Sequence, residues 1–395
     1  MQTTTISPPD LPESEALFER ALDALPGGNS RTTLFVPPHP PYADHGEGCE
    51  LIDVDGNRLL DLQNNYTTLI HGHANPQIIA AVTEVMASGT CFGLPTRHEI
   101  ELAEILTSRI AWARHWRFAN SGSEAVMMAI RAARAFTGRD QILRFDRCYH
   151  GSYESVTAPG ARGVPAAVAA LSSSATHGDE QQFMEMIAEL GDQLACVVID
   201  AMPNRAGLVP ASESFMKAVR AETEKRGIVM LQDEVLTYRI ALGGLHSTYG
   251  VSPDLVTLGK VIGGGFPVGA IGGREEVMAV FDPRGDTPVS HGGTFSANPV
   301  TLRAGIEALK LFDQAAVDRL NAMGDSLRKT LASRGWDVTG RGSLIQVHVD
   351  DIAALWWRLY GEGILVSGNG LICLSTPMEQ GDLDRAAAAF GDNDG

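Results

Sequence analysis

The residues best suited to chemistry lie in one stretch, 227–274. An apolar run over 228–231 ends in two acids, Asp233 and Glu234, and a second over 255–258 ends in Gly259 and Lys260, with glycines at 263–265. Short apolar runs bounded by turn residues read as buried strands. Two such strands, each delivering an ionisable residue at its carboxyl end, form a ligand site in an open α/β sheet. An acid beside a lysine suits one chemistry well. The amine condenses with an aldehyde cofactor, and the carboxylate keeps a pyridine nitrogen protonated. Two blander readings compete. A lysine after an apolar run is commonly a solvated strand end. Gly-Lys beside glycines also suggests a phosphate loop, but that motif needs Ser or Thr after the lysine and a preceding G-x-x-x-x-G. Here Val261 follows Lys260, and the three glycines come after it.

The elements positioning these groups follow along the chain. Residues 116–120 form a short strand running into Ser121-Gly122-Ser123-Glu124-Ala125 and then a helical pattern through Phe136. Backbone N–H groups left open at a helix start, with the dipole behind them, make an anion site. Plain capping by Ser121 or Ser123 is the alternative. Residues 143–146 are the next strand, leading to Tyr149-His150-Gly151. Residues 194–199 form a buried strand ending in Asp200, and 212–226 form an amphipathic helix. Near the start, 14–25 has helical spacing, Pro26-Gly27-Gly28 stops it, and Asn29-Ser30-Arg31 follows in a loop. Residues 50–62 read as a hairpin about Asp55-Gly56. His71 and His73 invite a metal reading, but no acid or cysteine cluster accompanies them, and no metal is expected. The small, weakly patterned stretch 158–180 reads as a lid or substrate loop.

With these motifs in place, the chain resembles the class III (subgroup II) aminotransferases, which are fold type I pyridoxal-phosphate enzymes. The likeness rests on D-E-V, P-D-L-x-T-L-G-K-x-I-G-G-G-x-P-x-G-A-x-G-G-R, N-S-G-S-E-A, Y-H-G and G-T-F-x-x-N-P in the family's order, from Pro26 to about Pro377. β-Phenylalanine-type aminotransferases and glutamate-1-semialdehyde aminomutase are the members most alike. The resemblance implies pyridoxal 5′-phosphate as cofactor, Lys260 as the Schiff-base lysine and Asp233 as partner of the pyridinium nitrogen. It implies Ser121, Gly122 and Ser123 as the phosphate cup, Tyr149 against the pyridine face, and Thr294 reaching the neighbouring active site of a homodimer. Arg31 matches the P-G-x-N-S-R arginine that meets a substrate carboxylate, and Tyr66 the substrate-lining aromatic. Many members carry a carboxylate-binding arginine near the last strand, but residues 367–370 and 375–377 contain none. Carboxylate selection then falls to Arg31, to Arg239 or to a residue outside these motifs. The shortened segment 233–239 is shared with the β-phenylalanine-type enzymes, and Asp200-Ala201-Met202-Pro203-Asn204 departs from the usual E-P-x-x-G.

Composition agrees with a globular enzyme: 395 residues, 44% hydrophobic, 20% charged. A net charge of −17 argues against nucleic acid or an anionic membrane as partner. Five scattered cysteines read as reduced thiols, and the first residues lack a basic-then-apolar leader, so a cytoplasmic protein is expected. The expected fold is α/β: a large cofactor-binding domain over 61–305 with a mainly parallel sheet, plus a small α+β domain built from 1–60 and 306–395. The expected activity is transfer of an amino group, from an amino acid that the likeness tilts toward β-amino acids, to a keto acid. An isomerase (aminomutase or racemase) on the same scaffold is the alternative, and a non-catalytic binding protein a third.

Overall fold

The structure is a computed structural model, and it describes residues 9–158 and 160–393. The chain divides into two compact units, one of residues 77–317 and one of the two chain ends, 1–76 with 318–395.

The chain-end unit begins with a helix, Pro12–Leu22, followed by strands β1 (Ala43–Glu47), β2 (Glu50–Asp53) and β3 (Arg58–Asp61). The hairpin at Asp55-Gly56 forms as the turn pair dictates, with Ile52 opposite Arg58.

The central unit is built on seven strands: β4 (His115–Ala119), β5 (Gln141–Phe145), β6 (Ser172–Ala175), β7 (Leu194–Ile199), β8 (Val229–Asp233), β9 (Leu255–Gly259) and β10 (Gly269–Gly273). Their order is β4-β10-β9-β8-β7-β5-β6, parallel from β6 through β9, with β10 antiparallel to both its neighbours. β7, β8 and β9 are buried along their whole length, as near-continuous apolar runs between helices should be. The helix Gly122–Thr137 presents Ala125, Ala129, Ala132 and Ala133 to this sheet. Small side chains there let its first turn sit close: a Cβ on Gly269 would lie 2.0 Å from the Ser121 carbonyl oxygen. Of the stretch 158–180, residue 159 lies outside the described residues; 160–180 contain a helical turn, Ala166–Ala169, and edge strand β6, whose Ser172–Ala175 pair with Ile142–Phe145 of β5. Backbone pairing at a sheet edge needs little side-chain hydrophobicity, so this strand left no period-two signal.

The chain-end unit closes with β11 (Asp337–Arg341), β12 (Leu344–His348), the helix Ile352–Gly361, β13 (Ile364–Leu365), β14 (Leu371–Cys373) and a last helix, Gln380–Phe390. β13 joins the N-terminal sheet, parallel to β3, while β11, β12 and β14 form a separate antiparallel sheet.

Candidate active site

In the central unit, β8 and β9 are neighbours with Asp233 in register with Thr257. This brings the carboxyl ends that carry Asp233 and Lys260 side by side in the sheet. Lys260 opens a 3-10 turn, Lys260–Gly263, directly after β9. Its φ is 49°, in the left-handed region, which for a residue with a Cβ marks a constraint imposed by the surroundings. The lysine is half-buried.

Asp233 is 4% exposed and fully engaged. Oδ2 accepts from His150 Nδ1 at 2.7 Å; Oδ1 accepts from the Val235 amide at 3.0 Å and from Thr257 Oγ1 at 3.2 Å. His150 is itself buried, and its Nε2 has no hydrogen-bond partner among the described residues. A carboxylate held on both oxygens in an apolar setting is fixed in direction and strong in field. Sequence alone gives His150 no role beyond its place in the Y-H-G triplet. A histidine after a strand gives no sign of which carboxylate it meets across 83 residues, and Thr257 was equally silent, being one buried strand hydroxyl among many.

The adjacent acid does something different. Glu234 is fully buried and accepts from Thr237 Oγ1 (2.5 Å), the Leu245 and His246 amides (3.0 and 2.7 Å) and His246 Nδ1 (2.8 Å). His246 Nε2 in turn accepts from Trp112 Nε1 at 3.2 Å. Glu234 therefore ties down the glycine-rich loop between β8 and β9. Arg239 lies in that loop with no exposed surface. An arginine written beside an acid pair looks the same in sequence whether it faces a cleft or the core.

The first turn of the helix Gly122–Thr137 is capped and still leaves amides open. Ser121 Oγ accepts from the Glu124 amide at 3.2 Å, and Glu124 Oε2 accepts from the Asn120 amide at 2.8 Å. The first helical bond runs from the Ala125 amide to the Ser121 carbonyl. The amides of Gly122 and Ser123 take no partner among the described residues, which leaves two donors for an anion at the positive end of the helix dipole. Ser123 Oγ accepts from the Ser152 amide at 3.1 Å, joining this turn to the Tyr149-His150-Gly151 loop. The joint is tight. A Cβ on Gly151, whose φ is +96°, would lie 2.3 Å from Ser123 Oγ, and one on Gly122 would lie 2.9 Å from a Val235 methyl. Glycine is required at 151 by both its backbone conformation and this close approach.

Tyr149 stands 51% exposed, and the Arg205 guanidinium carbon lies 4.2 Å from its ring centroid. Asp200, the shortened acid at the end of β7, accepts from the Met202 amide on Oδ1 at 2.9 Å. Burial first, and then the charge of Asp233, push its carboxyl up to about 7. Thr294 is exposed, and its carbonyl accepts from the Cys91 thiol at 3.8 Å. The cap of the following helix, Pro299–Leu311, is Asn298, whose Oδ1 accepts from the Val300 and Thr301 amides. Thr294 is thus not the capping residue.

The remaining two expected residues belong to the chain-end unit. Arg31 Nη1 donates to Asn65 Oδ1 at 2.8 Å, and Tyr66 OH donates to the Thr33 carbonyl at 2.7 Å. Asn64, Asn65, Tyr66 and Thr67 all have positive φ, between 47° and 77°. A run of left-handed non-glycine residues costs about 1–2 kcal/mol each, which motif reading could not foresee. The turn is held by Asp61 Oδ1, which accepts the Gln63 and Asn64 amides, and by Asn64 Nδ2, which donates to the Cys373 carbonyl. Arg31 and Asn65 line a cavity of about 330 Å³ that mixes apolar residues such as Leu34, Leu59 and Trp356 with Asp53, Asp61 and His73. The two histidines serve this unit: His73 Nε2 meets Asp61 Oδ2 at 2.8 Å and His71 Nδ1 meets Thr376 Oγ1 at 2.9 Å.

The family model for class III aminotransferases matches residues 36–379, most of the chain. The chain belongs to the class III aminotransferases. The enzyme is a pyridoxal-phosphate-dependent transaminase of the type I fold. It is 40% identical to glutamate-1-semialdehyde 2,1-aminomutase of Methanothermobacter thermautotrophicus, over 85% of this chain and 83% of that protein. Among solved structures it is similar to an omega-transaminase from Sphaerobacter thermophilus, with a TM-score of 0.92 and 43% identity over 95% of this chain and 96% of the other. It is also similar to a β-phenylalanine aminotransferase from Variovorax paradoxus, with a TM-score of 0.90 and 36% identity over 96% and 93%. The residues of the central unit fit the cofactor. Open amides at the helix start suit its phosphate, and a buried, doubly held carboxylate suits its ring nitrogen. No helix among the described residues is long and apolar enough to cross a membrane.

Proposed function

We propose that this transaminase moves the amino group of a β-amino acid to a keto acid, with Lys260 and Asp233 as catalytic residues. Pyridoxal phosphate, when bound, supplies an electron sink for the carbanion formed at the substrate carbon. In this reading Ser121, Gly122 and Ser123 hold its phosphate, Asp233 holds the ring nitrogen and Tyr149 lies against the ring. Lys260 Nζ would hold the cofactor's aldehyde carbon and, as a free amine, would take and return the proton at the substrate carbon that bears the amino group, which requires a lysine able to lose its charge when partly desolvated. Thr294 reaches the neighbouring phosphate site in a homodimer. The exposure of Phe92, Leu94 and Phe295 on the same cleft-forming segments supports a partner surface there. Five scattered cysteines without metal-ligand spacing support a cytoplasmic setting.

The observation that carries the β-amino acid reading is Arg31, whose Nη1 donates to Asn65 Oδ1 and is oriented by it. A planar fork held in place suits a carboxylate. Tyr66, fixed to the Thr33 carbonyl, lines the approach. An isomerase remains the second reading, favoured by the 40% identity to an aminomutase. Mixing the holoenzyme with β-phenylalanine alone separates the two. A transaminase bleaches the cofactor band and releases one equivalent of keto product per site, and turns over only when a keto acid is added. Conversion of the substrate to an isomer without acceptor would overturn the reading.

A further inference from the structure

A transaminase must take two substrates in turn at one set of catalytic groups, and the two proposed above differ in shape. The carboxylate of a β-amino acid is one carbon further from the reacting carbon than that of an α-keto acid. One fixed arginine serves one of these distances well. The segments 367–370 and 375–377 offer no second arginine, and Arg239 is buried.

Arg205 supplies what is missing. It sits in a short turn, Asn204–Ala206, beyond the carboxyl end of β7, between the strands that deliver Asp233 (β8) and Tyr149 (β5). The turn is pinned: the Ala206 and Leu208 amides donate to the Pro203 carbonyl at 3.2 and 3.0 Å, Gly207 closes it at φ 91°, and Leu208 is fully buried. From this fixed base the guanidinium stacks on the Tyr149 ring. Stacking occupies the flat face of an arginine and leaves its edge donors free. Among the described residues no acid lies within salt-bridge distance of it. The same strand ends carry Asp200 and Asp233, so an incoming carboxylate meets a negative site unless a cation offsets it.

We propose that Arg205 is a specificity-determining residue that binds the carboxylate of the α-keto acid acceptor. This rests on the transaminase reading above, and the test keeps the two apart. Enzyme loaded with pyridoxamine phosphate is mixed with pyruvate or 2-oxoglutarate and followed by cofactor absorbance, so that no donor is needed. In a second arm, enzyme loaded with pyridoxal phosphate is mixed with β-phenylalanine. For Arg205→Gln the half-saturation concentration for keto acid, divided by that for β-phenylalanine, is expected to rise about 10- to 100-fold, the range for losing hydrogen bonds to a charged group. Arg205→Lys, which keeps the charge and loses the fork, should fall between. If Arg205 merely positions Tyr149, both arms and pyridoxal-phosphate affinity shift together and the ratio stays within twofold, which overturns the proposal. Failure of parent enzyme to react with either keto acid overturns it too. Parent enzyme that reacts with keto acids but not with β-phenylalanine overturns the donor reading instead, and the acceptor arm alone, scored against cofactor affinity, decides the role of Arg205.

Discussion

Replacing His150 by leucine tests how the cofactor site is held together. The imidazole is buried, and its Nδ1 makes the 2.7 Å bond to Asp233 Oδ2. As a neutral ring it must carry its proton on Nδ1 to donate there. Leucine fills similar space without a donor, so Asp233 keeps only the Val235 amide and the Thr257 hydroxyl, both on Oδ1. A hydrogen bond to a charged group is worth about 1.5–3 kcal/mol, which corresponds to a loss of about 10- to 150-fold in affinity for pyridoxal phosphate. Asparagine at 150 can place Nδ2 near the lost Nδ1, and should recover part of the loss. The assay is titration of apoenzyme with pyridoxal phosphate by absorbance, beside thermal unfolding of the apoenzyme to separate site effects from folding. The double variant with Asp233→Asn should be far from additive, because the two residues act as one unit. Binding by His150→Leu within twofold of the parent, or an asparagine variant no better than leucine, would refute the reasoning.

Two further outcomes follow from the same geometry. Gly151→Ala places a Cβ against Ser123 Oγ in a left-handed backbone position, at a cost of about 1–2 kcal/mol from conformation alone; both a lower melting temperature of the apoenzyme and weaker binding of inorganic phosphate, read by competition with pyridoxal phosphate, are expected. Asp200→Asn keeps the Oδ1 acceptor for the Met202 amide but removes the charge. Because the folded carboxyl titrates at about 7 against 3.8 when exposed, the stability tied to its proton is complete below about pH 4 and lost as pH rises through 7. The variant should therefore melt higher than the parent at pH 8 and no higher at pH 4. The full gap corresponds to at most about 4 kcal/mol.

How much of this was legible in the sequence depends on whether neighbours along the chain decide the matter. The strands ending in Asp233 and Lys260 were legible because buried parallel strands are written as apolar runs, and the helix after Ser121 because a serine cap and a 3.6-residue period are local signals. The Asp55-Gly56 hairpin was legible for the same reason. What escaped depended on distant pairing. His150 and Asp233 meet across the sheet order β8-β7-β5, which no local pattern encodes, and Arg205 meets Tyr149 across the same strands. The burial of Arg239 follows from the loop that Glu234 gathers through His246 and Leu245, and one acid of an adjacent pair does not announce which will turn inward. Edge strand β6 is written in serine and alanine, where propensity is weak. The left-handed turn at 64–67 is imposed by Asp61 and by the Cys373 carbonyl, more than 300 residues away.

The central claim is that Lys260 is the amine that holds the cofactor. Borohydride reduction of the holoenzyme followed by peptide mass spectrometry tests it directly. The account predicts a pyridoxyl-phosphate mass increment on the peptide containing Lys260, and neither increment nor turnover in a folded Lys260→Ala variant. An increment on any other lysine, or appreciable transamination by that variant, would contradict it.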